Sequence, residues 1–164
     1  MKKRLCPKGV KVRMIFYRNI AKYWKYWLPV TLWMGFIYWM STDTFSSQNT
    51  FPWVETLLRF LVPKISFQEL VFLHTLIRKT AHVTEYFVFG LLLFRTFRGG
   101  SASSWSWRQR LFALIIVVLW AASDEFHQSF VSSRTASAVD VAVDTAGGIL
   151  AQCVAFLWHR GRKK

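Results

Sequence analysis

The distribution of acidic residues constrains this chain more than any other feature. Residues 1–42, 86–123 and 145–164 contain no Asp or Glu, so all eight acids fall in the windows between them. Lys and Arg show the opposite bias, with nine in residues 1–26, four in residues 95–110 and four in the last five positions. Strongly apolar stretches separate these basic blocks. This alternation is typical of a multispanning membrane protein, in which cytoplasmic segments are enriched in Lys and Arg.

The apolar stretches predict four transmembrane helices, because a helical span needs about 20 mostly apolar residues. We place these spans at residues 24–40, 79–97, 111–130 and 139–158. Four spans put both termini on one side of the membrane. Only five of the 22 Lys and Arg residues would then lie on the outer side, and 17 would lie inside. The expected fold is therefore an all-α polytopic membrane protein with its N and C termini in the cytoplasm.

The remaining segments complete a single membrane domain over residues 1–164. They comprise a basic N-terminus (1–23), an external segment (41–78), a cytoplasmic loop (98–110) and a basic tail (159–164). In the external segment, an amphipathic stretch at residues 51–62 is expected to lie in the membrane interface. Ser66 and Glu69 have the spacing of a helix capping box. A helix running from there to residue 97 would be about 46 Å long, so it would either project beyond the bilayer or bend near Lys79.

The net charge of +14 does not indicate a nucleic-acid partner. Cytoplasmic flanks and their attraction to anionic lipid already account for the basic segments. The two cysteines, Cys6 and Cys153, stand at opposite ends of the chain. They define neither a disulfide framework nor a metal cluster, so we expect two inert thiols.

Polar side chains at the outer ends of three predicted spans are the candidate functional residues. An ionisable group near the centre of a membrane costs at least ~2.5–3.5 kcal/mol, and such groups usually have a function. At 1.5 Å per residue from the outer end of each span, Glu85 and Asp124 lie about 9 Å and Asp144 about 7 Å below the outer surface. Their common depth predicts one shared site just below the external headgroups. The candidates are Lys79, His82, Glu85, Asp124, Glu125, His127, Gln128, Arg134, Asp140 and Asp144.

The charge of this cluster leaves several kinds of chemistry open. Five close carboxylates with only two cations beside them cannot all stay ionised there without further positive charge. Either the histidines are protonated, or some acids are neutral, or a cation binds. His82 and His127 could be hydrogen-bond partners between helices, or members of a proton relay. They could also hold a divalent metal as the cofactor, with Glu85 and Asp124 as further ligands. Lys79 and Arg134 could pair with the acids or hold a lipid phosphate.

Three sequence blocks in this region resemble those of the VanZ-like family. Residues 78–86 resemble its K-x-x-H-x-x-E-Y block, and residues 123–128 resemble its S-D-E-x-x-Q block. Residues 134–147 resemble its R-x-x-S-x-x-D-x-x-x-[ND]-x-x-G block. The order and spacing of the blocks agree with the family over about residues 78–150. One departure is Ser132-Ser133, where the family often has Pro-Gly before the arginine.

The resemblance implies a small four-helix protein of the bacterial inner membrane. The founding member of the family is linked to resistance to teicoplanin, a lipidated glycopeptide that acts at the outer leaflet. An outward-facing polar site at headgroup depth is compatible with handling an envelope lipid or a lipid-like drug. The expected partners are therefore membrane lipids, a lipid-linked envelope precursor or a glycopeptide.

Three classes of function follow from these patterns. In the leading hypothesis, the site binds or modifies the headgroup of an envelope lipid, with secondary relevance to glycopeptide susceptibility. In the second, the polar cluster only holds the helices together, and the external segment docks a partner. The third is an ion- or proton-coupled transporter, which would need a homo-oligomer because four helices are few for transport. The residue pattern alone does not decide between an enzyme and a binding protein.

Overall fold

The computed structural model has five α-helices in the part of the chain that it describes. It describes the backbone of residues 8–99, 106–134 and 136–161 and, within these ranges, the side chains of residues 23–158 and 160. The helices are α1 (Lys8–Met40), α2 (Ser47–Leu61), α3 (Phe67–Arg98), α4 (Trp107–Gln128) and α5 (Ala138–Gly161). A short 3-10 turn, Asp43–Phe45, joins α1 to α2. No strand occurs in the described ranges, so the all-α prediction is confirmed.

Helix α3 begins where the sequence predicts. The Ser66 hydroxyl accepts the Glu69 backbone N–H at 3.3 Å, and the Glu69 carboxylate accepts the Ser66 N–H at 2.8 Å. This reciprocal capping box satisfies two donors that a helix start otherwise leaves unpaired. The helix then passes Lys79 without a break and ends at Gly99, whose φ of 57° lies in the left-handed region. Glycine adopts this conformation without the steric penalty that other residues incur.

The other helix bounds differ from the predicted ones by varying amounts. Helix α1 ends at Met40 as predicted but begins already at Lys8, before the predicted span. Helix α2 begins about one turn before the predicted amphipathic stretch, because the Ser46 side chain accepts the Asn49 N–H and caps the helix there. The expectations for Cys6, for residues 100–105 of the predicted loop and for residues 162–164 of the tail lie outside the described residues.

Two helices of the described chain have the length and hydropathy of a membrane span, Trp107–Gln128 and Ala138–Trp158. They correspond to the third and fourth predicted spans. The stretches predicted as the first two spans are also helical, but they carry charged residues such as Lys25, Lys79, Glu85 and Arg95 that lower their hydropathy. The four-span topology with both termini inside therefore stays a prediction.

Small residues allow α3 and α5 to pack at close range. A Cβ atom on Gly147 would lie 2.5 Å from the Val83 carbonyl oxygen, and one on Gly90 would lie 2.7 Å from the Ala151 Cβ. Ala151 itself is fully buried. Gly147 and Ala151 form a small-xxx-small pair, which permits helix backbones to approach this closely. The close packing fixes the register in which the polar ends of the two helices meet.

Candidate functional site

Helices α3 and α5 place four of the candidate residues in two direct pairs. The Lys79 Nζ atom lies 2.8 Å from Asp140 Oδ1 and forms a hydrogen-bonded ion pair. Three residues further along α3, the His82 Nδ1 atom lies 3.3 Å from Asp144 Oδ1. Asp144 is completely buried, whereas His82 is partly exposed. Of the alternatives open for Lys79, the structure shows the ion pair.

Helix α4 contributes a buried hydrogen-bonded group beside these pairs. The Gln128 side-chain amide donates to Asp124 Oδ2 at 3.1 Å and to the Ser41 hydroxyl at 2.7 Å. Glu125 accepts the Ser137 backbone N–H at 2.7 Å and so ties α4 to the start of α5. The buried Asp124, Glu125 and Gln128 therefore connect α4 to two other segments of the chain.

The Arg134 side chain caps the C-terminal end of α1. Its Nη2 atom donates to the carbonyl oxygens of Met40 and Thr42, at 2.9 Å and 3.0 Å. These carbonyls lie at a helix C-terminus, where no intrahelical donor is available to them. The neighbouring Ser133 hydroxyl donates to the Asp43 carboxylate. The turn between α4 and α5 is thus fastened to the end of α1, and Arg134 bonds to carbonyls rather than to an acid of the cluster.

Two adjoining cavities open among these residues. The first, which we call the polar cleft, has a volume of about 240 Å³. It is lined by polar side chains, namely Ser47, Thr75, Arg78, Lys79, His82, Gln128, Ser133, Arg134 and Asp140.

The second cavity, which we call the apolar slot, has a volume of about 190 Å³. Apolar side chains from α1, α2, α3 and the turn before α2 form much of its wall, namely Ile37, Met40, Phe45, Val54, Ile77 and Ala81. Glu85 and Asp124 also reach it. Arg78, His82 and Arg134 line both cavities and therefore mark their junction.

Arg78 is a site residue that the sequence analysis did not include. It immediately precedes the second predicted span, so its charge was assigned to the outer side. Within the described residues its guanidinium makes no ion pair and no hydrogen bond. Burial lowers the pKa of Arg78, and Asp140 opposes that shift, but a guanidinium stays charged at neutral pH. The one feature of the sequence that could have identified Arg78 is its position next to Lys79.

Three of the predicted site residues line neither cavity. Asp144 lies behind His82. Glu125 is occupied with the backbone of Ser137. The His127 ring packs against Tyr38 of α1 in a tilted arrangement, with centroids 4.5 Å apart. The seven that do reach the cavities are Lys79, His82, Glu85, Asp124, Gln128, Arg134 and Asp140.

The geometry gives little support to the divalent-metal alternative. Its four expected ligands were His82, Glu85, Asp124 and His127. Among the residues that the structure describes, no three His, Cys, Asp or Glu side chains are grouped as a metal ion would require. His127 is directed toward Tyr38, so it does not complete a ligand set with His82.

A sequence model of the VanZ/LLP1 family matches residues 26–159, which is most of the chain. The chain belongs to the VanZ/LLP1 family. Membership confirms the resemblance drawn from residues 78–150 and extends it to α1 and α2. Together with the two apolar helices, it indicates a VanZ-like membrane protein. Searches of curated proteins and of solved structures gave no match.

Proposed function

We propose that this VanZ-like protein binds the phosphate-bearing headgroup of an envelope lipid at the outer face of the bacterial inner membrane. One observation carries the proposal: the unpaired, half-buried guanidinium of Arg78 lies at the junction of the polar cleft and the apolar slot. A guanidinium presents a planar set of donors that matches the oxygens of a phosphate group. A charge held in such a place without a partner favours an anionic ligand.

The charge of the polar cleft supports an anion. Among the described residues, three cations line it, Arg78, Lys79 and Arg134, whereas Asp140 is the one lining carboxylate. Asp140 is already paired with Lys79 at 2.8 Å. The surplus positive charge is therefore available at Arg78 and, in part, at Arg134. In our proposal Arg78 makes the main contact with the phosphate, and Lys79 and Arg134 add to the field around it.

The neighbouring apolar slot supports an amphiphile over a free anion. It begins at the same three residues and continues along apolar side chains such as Ile37, Ile77 and Ala81. A ligand that filled both cavities would have a charged group in the cleft and a hydrocarbon segment in the slot. Envelope lipids and lipid-linked precursors have this construction. Altered handling of such a lipid would also connect the protein with glycopeptide susceptibility.

The test compares the lipids retained by wild type, Arg78→Gln and Arg59→Gln. Arg59 is a matched control because it pairs with Glu55 on α2 and lines neither cavity. Native mass spectrometry of the detergent-purified proteins, with increasing delipidation, would measure the bound phospholipid. Loss of a charged hydrogen-bonding partner should weaken retention about tenfold or more in Arg78→Gln alone.

Two results would contradict the proposal. One is equal lipid retention by all three proteins. The other is an equal loss in both variants, which would reflect bulk charge rather than the cleft. If Arg78→Gln instead lowered only the thermal unfolding temperature, the cluster would be structural, and a partner-docking role of the external segment would gain support.

A second candidate function is acid–base modification of the bound headgroup, and the His82–Asp144 pair favours it. A buried carboxylate next to one ring nitrogen fixes the orientation of an imidazole and stabilises its protonated form. His82 also lines both cavities, so it can accept a proton from a hydroxyl or water held there. Asp144→Asn would then leave lipid retention intact while abolishing turnover of the bound lipid, measured by lipid mass spectrometry over time. Unchanged turnover would exclude this role.

A further inference from the structure

A third cavity lies between α1 and α3 at the end of the bundle opposite the polar cleft. Its volume is about 370 Å³, and we call it the basic recess. Two aromatic and three cationic side chains line it, namely Lys25, Tyr26, Phe94, Arg95 and Arg98. It shares no lining residue with the polar cleft or the apolar slot.

The depth of the recess matches a membrane surface. Along α3, 1.5 Å per residue places Arg95 about 24 Å and Arg98 about 29 Å from Lys79. The hydrocarbon core of a bilayer is about 30 Å thick. If the polar cleft lies at the headgroups of one leaflet, the basic recess therefore lies at the headgroups of the other.

Among the residues that the structure describes, Lys25 and Arg95 form no ion pair with a carboxylate. Residues 1–42 and 86–123 contain no Asp or Glu, and these stretches include every lining residue. Arg95 and Lys25 instead lie over the Tyr26 ring, at 5.6 Å and 5.9 Å from its centroid. Attraction to the ring face leaves their N–H groups available to a hydrogen-bond acceptor.

The walls of the recess are held in place by the contact between the two helices. The Thr96 hydroxyl donates to the Tyr26 carbonyl oxygen at 2.9 Å, and the Trp27 and Phe97 rings meet edge to face at 6.0 Å. The cations are therefore carried by two helices joined at this level. A ligand entering here would meet a preformed set of donors.

We propose that the basic recess binds the phosphate of an anionic phospholipid in the leaflet opposite the polar cleft. The aromatic side chains would contact the glycerol region and the start of the acyl chains, while Lys25 and Arg95 would hold the phosphate oxygens. This site is independent of the proposed function, because it uses different residues at a different depth.

The experiment reconstitutes the full-length protein in nanodiscs of phosphatidylglycerol and phosphatidylcholine and counts the phospholipids that survive extraction. The double variant Lys25→Gln/Arg95→Gln removes two recess cations. The control Arg108→Gln/Arg160→Gln removes two exposed cations near the same end of α4 and α5, outside the recess. We expect retention of phosphatidylglycerol to weaken about tenfold or more in the recess variant and to stay near wild type in the control, because only the recess residues would hydrogen-bond the phosphate.

The design separates the alternatives. Equally weakened retention of phosphatidylglycerol in both double variants would overturn the proposal. It would show that the lipid is held by the overall positive charge of this end rather than by the recess. Displacement of the retained lipid by millimolar inorganic phosphate would also overturn it, because the recess would then be a site for a soluble anion. If the double variant does not fold, Lys25→Gln alone provides the test, since Lys25 is exposed and its removal leaves the helix contact intact.

Discussion

Individual residues show where the sequence was informative about the site and where it was not. Helical spacing predicts which side chains share a face of their own helix, but it does not predict the partner across the interface. At about 100° per residue, Gln128 lies about 40° to one side of Asp124 and His127 about 60° to the other side. Gln128 bonds to Asp124, whereas the His127 ring packs against Tyr38 of α1. Arg78 was missed because the role of a residue outside a span depends on the cavity beside it.

His74 gives a prediction for pH dependence. It is buried on α3, with its Nε2 atom 3.1 Å from the Thr50 hydroxyl and the Phe51 ring edge to face at 5.2 Å. Burial, and secondarily the charge of Arg78, lowers the pKa of His74 below the ordinary value of 6.5. The unfolded chain therefore binds a proton near pH 6.5 that the folded chain resists. Stability should be unaffected by this group above pH 6.5 and should fall as the pH drops below it.

The measurement is the thermal unfolding temperature of wild type and His74→Gln between pH 8 and pH 5. Glutamine keeps a group that can bond to Thr50 but does not titrate. We expect the two curves to run parallel above pH 6.5 and the wild-type curve to fall more steeply below it. Parallel curves throughout would show that His74 does not couple protonation to folding.

At the level of helices, the sequence best predicted the features that depend on residues close together in the chain. The capping box of Ser66 and Glu69 fixed the start of α3 because all of its contacts lie within four residues. The predicted amphipathic stretch begins at residue 51, whereas the Ser46 cap starts α2 about one turn earlier. The small residues Gly147 and Ala151 indicate that α5 packs closely on a neighbour, but the sequence does not show that this neighbour is α3.

Gly147→Ala tests that contact. Its new methyl group would lie 2.5 Å from the Val83 carbonyl oxygen, which belongs to helix backbone and cannot move aside at low cost. Overpacking of this kind destabilises a protein by about 1–3 kcal/mol. Gly35→Ala is the matched control, because nothing lies within 4 Å of a Cβ atom at that position of α1. In a helix interior that change should stabilise by up to about 1 kcal/mol.

Unfolding in detergent or mixed micelles would measure both free-energy changes. The contact between α3 and α5 also holds His82 beside Asp144, so Gly147→Ala should lower lipid retention as well as stability. Equal effects of the two substitutions would mean that close packing at Gly147 does not hold the polar ends of the helices in register.

For the whole molecule, the sequence predicted a membrane protein from the distribution of charged residues. The structure adds the distance between the polar cleft and the basic recess. The polar cleft and the basic recess are separated along α3 by about 24–29 Å, close to the thickness of the hydrocarbon core. Among the described helices only α4 and α5 have the hydropathy of a span, and this spacing is the one expected if α1 and α3 also cross the membrane. Hydropathy undervalues a span whose polar side chains face other helices rather than lipid.

Cysteine labelling tests the resulting topology. With Cys6 and Cys153 replaced by serine, single cysteines would be introduced at Lys64, between α2 and α3, and at Arg108, at the start of α4. Both native side chains are exposed, so substitution should not disturb packing. With both termini inside, a membrane-impermeant maleimide should label Lys64→Cys in intact cells and Arg108→Cys only after permeabilisation. The reverse pattern would invert the topology and place the polar cleft at the cytoplasmic face. Labelling of both sites in intact cells would mean that α3 does not cross the membrane, so the cleft and the recess could not serve opposite leaflets.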